Sequence, residues 1–230
     1  MNRMPKSRAA DAPRFAGFGV DLPEFYAELA RNNNRDWWQL NRGRYESLVA
    51  GPMELLAAEL EPEFGPTRIF RPYRDVRFSA DKRPLQEHAS LSAMADWGAG
   101  CYLSVGADGL LLGGGSWHPE RESLQRFRAV VDDPTAVVEL KSLLARLRKA
   151  GFELATEERL AGAPRGFPRD HPEIELLRQT NLAVFRSYDV AAWLSQRRCL
   201  KVIVDGWRVV CEWNDWLRPV TSSSGGARHG

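Results

Sequence analysis

The sequence predicts an α+β fold: a mixed or antiparallel sheet with a central hairpin, flanked by several helices, in a single domain. Three observations predict it. Cys101-Tyr-Leu-Ser-Val105 and Leu110-Leu111-Leu112 flank Gly106-Ala-Asp-Gly109, a strong hairpin signal. Helical and strand-like stretches alternate irregularly, unlike the regular alternation of a doubly wound parallel sheet. No internal repeat is present, and 230 residues suit one domain.

The elements follow in order. Residues 1–13 are short, basic and polar, and read as a disordered tail without the apolar stretch of a signal peptide. The domain is expected over residues 14–220, and the Ser/Gly-rich residues 221–230 read as a second disordered tail. Asp21, Pro23 and Glu24 open a helix with a capping-box pattern, and Leu22, Phe25 and Leu29 form its apolar stripe. Asn32-Asn33-Asn34 stops that helix and caps a second, which carries Trp37, Trp38, Leu40, Tyr45, Leu48 and Val49. Gly51-Pro52 bends or breaks it, and a third helix runs from Met53 to about Leu60, ended by Pro62 and Gly65.

Thr67 to Phe70 reads as a short strand, and Tyr73 to Ser79 as another. Beyond the hairpin, Leu124, Phe127 and Val131 mark a helix. Asp133-Pro134 caps the next, which ends at Gly151. Residues 158–170 form a Pro/Gly-rich loop, Pro172 starts a short helix through Leu177, and Leu182 to Phe185 is a strand. The C-terminal stretch is ambiguous. Asp205-Gly206 between β-branched residues signals a hairpin, yet Ile203, Trp207, Val210, Cys211, Asn214 and Leu217 make a helical stripe.

Composition excludes several classes. The chain is 43% hydrophobic and 27% charged, and its eight tryptophans supply large buried area to a core. Thirty-two basic and 30 acidic residues give a net charge of +2, too balanced to point to nucleic acid; such a partner would need a local patch. No run of about 18 apolar residues indicates a membrane span. Three cysteines, Cys101, Cys199 and Cys211, without a C-x-x-C pair, read as buried reduced thiols in a cytoplasmic protein. His88, His118 and His171 lack metal-ligand spacing, so no metal site is expected. His88 or His118 as a general acid or base is the weaker reading of those residues. The sequence does not identify a cofactor.

One stretch concentrates charge. Residues 68–83 hold Arg68, Arg71, Arg74, Arg77, Lys82 and Arg83 against Asp75 and Asp81, six positive and two negative, a local excess of +4. Charges interleaved with aromatic and apolar residues must be paired or must hold a ligand when half-buried. The planar guanidinium fork suits carboxylate and phosphate. The functional reading is a site for a small, phosphorylated or otherwise anionic ligand, with Arg71, Arg74, Arg77 and Lys82 as clamps and Ser79 as an added donor. The structural reading pairs Asp75 and Asp81 with neighbouring arginines. A third reading places the same basic residues on an exposed face that contacts nucleic acid or protein. Asp75 and Asp81 lie about 20 Å apart on an extended strand at roughly 3.3 Å per residue, too far for a carboxylate dyad unless the loop folds back.

Two further segments are candidates. Gly113-Gly114-Gly115-Ser116 ahead of Trp117 and a helix permits close backbone approach to an anion, or else packs as a bulged strand end beneath Trp117. Arg165, in Pro164-Arg165-Gly166-Phe167, either reaches over a site or sits on a surface connection ordered by Phe167. Asn33, Asn34, Trp37 and Trp38 read chiefly as helix cap and core.

Four stretches occur in a recognisable order: Asn33-Asn34-Arg35-Asp36-Trp37-Trp38; Phe70-Arg71-x-Tyr73-Arg74-Asp75-x-Arg77-Phe78-Ser79-x-Asp81-Lys82-x-Pro84; Gly114-Gly115-x-Trp117-x-Pro119; and Ala163-Pro164-Arg165-Gly166 followed by Asp170-His171-Pro172. With them the chain resembles the bacterial and fungal family known as domain of unknown function 2461, over roughly residues 15–217. The resemblance implies a shared architecture and no assigned reaction. It also implies that the C-terminal stretch is a helix closing on Trp216-Leu217. The chain departs from the family pattern at Leu85-Gln86-Glu87-His88, where Tyr-Lys-Thr-His is usual, and at Gly162 or Ala163, where a lysine is usual.

Overall fold

The computed structural model describes residues 13–75, 77, 81–94, 99–156 and 158–221. Both tails expected from the sequence fall almost wholly outside these residues, and so do Val76, Phe78 and Ser79. Six strands form one antiparallel sheet in the order β1-β2-β3-β4-β6-β5. They are β1 (Thr67–Ile69), β2 (His88–Met94), β3 (Gly100–Gly106), β4 (Gly109–Ser116), β5 (Glu153–Leu154) and β6 (Leu182–Tyr188). The expected α+β class and central hairpin are present. β3 and β4 pair from Gly106↔Gly109 to Gly100↔Gly115, and Gly109 turns the chain at φ +115°, a region open to glycine at little cost.

Alternation along the strands sends Leu91, Leu103, Leu112 and Val184 to one face, where all are fully buried. The helical layer lies over that face, some of its helices packing on the sheet and the others on those helices. They are α1 (Leu22–Arg31), α2 (Arg35–Tyr45), α3 (Gly51–Phe64), α4 (Arg121–Asp132), α5 (Ala136–Lys149), the short α6 (Ile174–Leu177) and α7 (Arg198–Thr221). One hydrophobic cluster runs from Phe15 to Val220.

Local chemistry explains most boundaries. Asn34 caps α2 by accepting from the Trp37 amide at 3.0 Å, and Asp133 Oδ1 accepts from the Thr135 and Ala136 amides ahead of α5. Asp21 departs from expectation: its side chain makes no capping bond, and its backbone carbonyl takes the Phe25 amide instead. Gly51-Pro52 neither breaks nor ends the helix. A π-helical turn over Glu46–Ala50 absorbs it, and α3 continues through Pro62 to Gly65 at φ +83°. Leu40, expected in an apolar stripe, faces solvent.

The C-terminal ambiguity resolves as the 24-residue helix α7. Trp207 and Trp213 are fully buried. Their indole N–H groups donate to Tyr102 O at 3.1 Å and Leu182 O at 2.9 Å, which fixes α7 to the sheet backbone. Gly206 is the point of close approach. A Cβ there would lie 2.5 Å from Leu112 Cδ1. The Asp-Gly pair that signals a turn in sequence is thus a helix–sheet contact.

Candidate functional site

The arginine-rich segment follows β1 and folds back on itself. Phe70 N–H donates to Ser90 O at 3.0 Å, Gln86 N–H to Pro72 O at 2.7 Å, and Arg74 N–H to Pro84 O at 2.9 Å. Tyr73 bridges Leu85. The strand expected from Tyr73 to Ser79 therefore does not form over the described residues 73–75. Between the Phe70·Ser90 and Tyr73·Leu85 pairs lie residues 71–72 on one side and 86–89 on the other. That mismatch interrupts the ladder and opens a cleft.

The turn between α1 and α2 holds this loop in place. Asn33 Nδ2 donates to Leu85 O at 3.0 Å and Glu87 Oε1 at 3.1 Å, and Asn33 Oδ1 accepts from the Leu85 amide at 3.0 Å. Trp38 Nε1 donates to Tyr73 Oη at 3.1 Å. Asn33 and Trp38, read from sequence as cap and core, also position the segment.

The fold-back brings Arg74 and Asp81 to 2.6 Å. Asp81 also binds Arg83 at 2.7 Å, and Arg83 reaches Glu87 at 2.5 Å. Arg83 and, after it, Arg74 hold the Asp81 carboxyl well below the usual carboxylate range. Arg77 makes a two-pronged bond to Asp75, at 3.0 Å through Nε and 2.7 Å through Nη2, and this lowers the Asp75 pKa. Arg74, Arg77 and Arg83 thus follow the ion-pair reading of the sequence. Lys82 is exposed, and Ser79 lies outside the described residues.

Arg71 differs. It is exposed and makes no hydrogen bond or ion pair among the described residues. It lines a cleft of about 150 Å³ with Phe70, Gln86, His88, Ser90 and Tyr102. That is about five waters at roughly 30 Å³ each, room for a phosphate or carboxylate group. Tyr102 Oη and Ser90 Oγ are 2.9 Å apart. Two hydroxyls sharing one bond leave one hydroxyl hydrogen to donate. His88 keeps an exposed side, but partial burial lowers its pKa; Glu87 opposes that shift and Arg74 adds to it. The cleft thus joins one cation to neutral donors.

Sequence reasoning named Gln86 only as a departure from the family pattern and did not single out Ser90 or Tyr102. The available signal was the period-2 pattern Ala89, Leu91, Ala93 against Ser90, Ser92, which marks β2 despite its weak strand formers. The other expected site residues lie elsewhere. Gly114 and Gly115 sit in β4, not at a helix start, and the space above them is filled. A Cβ on Gly114 would meet Gly100 O at 2.1 Å and Val210 Cγ1 at 2.4 Å. Gly114 lies two strands from β2 and at the end of the ladder opposite Gly106 and His88. Trp117 packs edge-on against Phe185, centroids 5.5 Å apart. Arg165 is exposed in the connection to α6 and makes no hydrogen bond among the described residues.

Two larger hollows hold charge that is engaged in part; Arg198 at one and Arg148 at the other make no side-chain hydrogen bond or ion pair among the described residues. One of about 350 Å³ is lined by Arg186, Tyr188 and Trp193, with Arg198 also at its wall. Arg186 there donates to Ala150 O at 2.6 Å and lies 4.3 Å from the Tyr188 ring centroid. Another, of about 390 Å³, is lined by Lys141, Arg159, Glu173 and Glu175, which pair with one another.

An antiparallel sheet backed by helices, with a clamped basic loop at its β1–β2 edge, defines the chain as an α+β sheet protein with an edge-loop cleft. Residues 21–216 match the family described as conserved hypothetical protein (DUF2461), and the chain belongs to that family. Neither a curated protein nor a solved structure matches it. No helix among the described residues is long and apolar enough to cross a membrane.

Proposed function

We propose that the chain binds a small anionic ligand, a phosphate or carboxylate group, in the cleft beside Arg71. The observation that carries this reading is a guanidinium without a partner among the described residues, beside a cleft with hydroxyl, amide and imidazole groups. Its neighbours Arg74, Arg77 and Arg83 serve as ion-paired scaffold, so the ligand site is narrower than the whole basic segment. Binding rests on one charge-assisted contact to Arg71 and on donation from the Ser90–Tyr102 hydroxyl pair. The volume admits the anionic head of a ligand and leaves the remainder of the molecule outside.

Thermal shift with inorganic phosphate at matched ionic strength tests this, because a ligand selective for the folded state raises Tm. Phosphate is expected to raise the wild-type Tm. A hydrogen bond to a charged group contributes about 1.5–3 kcal/mol, so Arg71→Ala should weaken phosphate binding roughly tenfold or more. Arg77→Ala should leave it unchanged, since Arg77 is committed to Asp75. No shift in wild type, or the same shift in Arg71→Ala, rejects the site. A second reading is favoured by Arg68 stacked 5.3 Å from the centroid of the exposed Phe70 ring. A short single-stranded oligonucleotide whose binding survives Arg71→Ala and is lost in Phe70→Ala would support that nucleic-acid surface instead.

A further inference from the structure

Two of the three cysteines meet across the helix–sheet interface. Cys101 lies on β3 and Cys211 on α7, with their sulfurs 3.9 Å apart. Cys101 is buried and Cys211 keeps part of its surface in solvent. Cys101 Sγ also lies 3.9 Å from Trp207 O and 3.8 Å from Asn214 Nδ2, so β3 and α7 fix its position. Cys199 stands apart and fully buried, and burial pushes its thiol up to about 12.

We propose that Cys101 and Cys211 form a peroxide-reactive dithiol, in which Cys211 is oxidised first and Cys101 resolves it as an intramolecular disulfide. Access sets the order, because only Cys211 reaches solvent. The hydrogen bond from Cys101 favours the Cys211 thiolate, while burial and then the nearby Asp215 and Glu63 oppose it. In the first step the Cys211 sulfur attacks one oxygen of hydrogen peroxide. The O–O bond breaks, a sulfenic acid forms, and the departing hydroxide takes up the thiol proton as water. In the second step the Cys101 sulfur attacks the sulfenic sulfur. The S–O bond breaks, and the hydroxyl leaves as water with the Cys101 proton. Two thiols lose two electrons, and one peroxide becomes two waters.

To bond, the sulfurs must close from 3.9 Å to about 2.05 Å. The bond would join residues 110 positions apart and tie α7 to the sheet. The pair would then be both a peroxide-consuming site and a covalent lock on the C-terminal helix.

The test treats the folded, full-length chain with hydrogen peroxide, alkylates the remaining thiols after denaturation, and reads intact mass and peptide linkage. The three free thiols are expected to fall to one, with a mass loss of about 2 Da and a peptide joining Cys101 to Cys211, all reversed by dithiothreitol. Cys199→Ser should show the same linkage with no thiol left. This variant keeps the pair intact, so the result does not depend on how a Cys101 variant folds. In Cys101→Ser, dimedone should trap a sulfenic acid on Cys211. Three thiols remaining after exposure that oxidises free glutathione would overturn the proposal. So would a disulfide containing Cys199, or a link between two chains in place of the internal one.

Discussion

Gly43 and Gly206 both lie within helices, under opposite constraints. A methyl added at Gly43 in α2 meets no atom within 4 Å. One added at Gly206 in α7 lies 2.5 Å from Leu112 Cδ1, with Phe152 Cζ at 3.5 Å and Tyr188 Oη at 3.7 Å. Alanine is favoured over glycine by about 1 kcal/mol inside a helix. At the exposed Gly43 that preference acts alone, so Gly43→Ala should stabilise by about 0.5–1 kcal/mol. At Gly206 the methyl falls roughly 1 Å short of carbon contact distance. Leu112 is fully buried and cannot move aside into solvent. Overpacking of this kind costs about 1–3 kcal/mol, so after the helical gain Gly206→Ala should be neutral to about 2 kcal/mol destabilising. Urea titrations followed by circular dichroism read both variants as changes in midpoint at constant m. Leu112→Ala alone should cost about 2–5 kcal/mol. Combined with Gly206→Ala, the total should fall short of the sum by about 1 kcal/mol or more, because the added methyl enters vacated space. If Gly206→Ala raises the midpoint as much as Gly43→Ala, or if the two changes simply add, helix–sheet proximity is not the reason for glycine at 206.

Two other outcomes follow from the same geometry. The Asp81 pKa is depressed, so its stabilising contribution is complete above the unfolded carboxyl pKa of about 3.9 and is lost as pH falls through the lower folded value. Asp81→Asn should therefore lower Tm near pH 7, with the gap to wild type narrowing from about pH 4 downward; a gap constant across that range contradicts the ion-pair assignment. Asn214 Oδ1 is buried without a hydrogen-bond partner, and an unsatisfied buried group costs about 1–3 kcal/mol. Asn214→Leu should leave the urea midpoint unchanged or raise it by about 1 kcal/mol in stability, and a loss above about 1 kcal/mol would show that the amide is needed.

Local chemistry made part of this molecule legible in its sequence. The β3–β4 hairpin followed from Gly106-Ala-Asp-Gly109, and the caps of α2 and α5 from Asn34 and Asp133. β2 was hidden because Ala and Ser carry little strand preference, although their alternation was present. Asp205-Gly206 left the C-terminal stretch ambiguous because a turn signal and a packing contact both call for glycine, and only the position of Leu112 separates them. At the candidate site, the basic composition located the segment, but the pairing within it depends on a fold-back. Arg74 and Asp81 are adjacent only because Tyr73 bridges Leu85. The cleft also draws on Ser90 and Tyr102 from neighbouring strands, and Asn33 reaches Leu85 across 52 residues. Such long-range meetings leave no local mark.

The last helix among the described residues, Arg198–Thr221, covers Leu112 and its neighbours with Trp207 and Trp213. During synthesis the first four strands emerge well before this cover, so until α7 is made, part of the apolar sheet face stays uncapped. Removal of this cover leaves that apolar face bare, so a stop codon ahead of Trp207 is expected to yield an aggregating product rather than a shortened working protein.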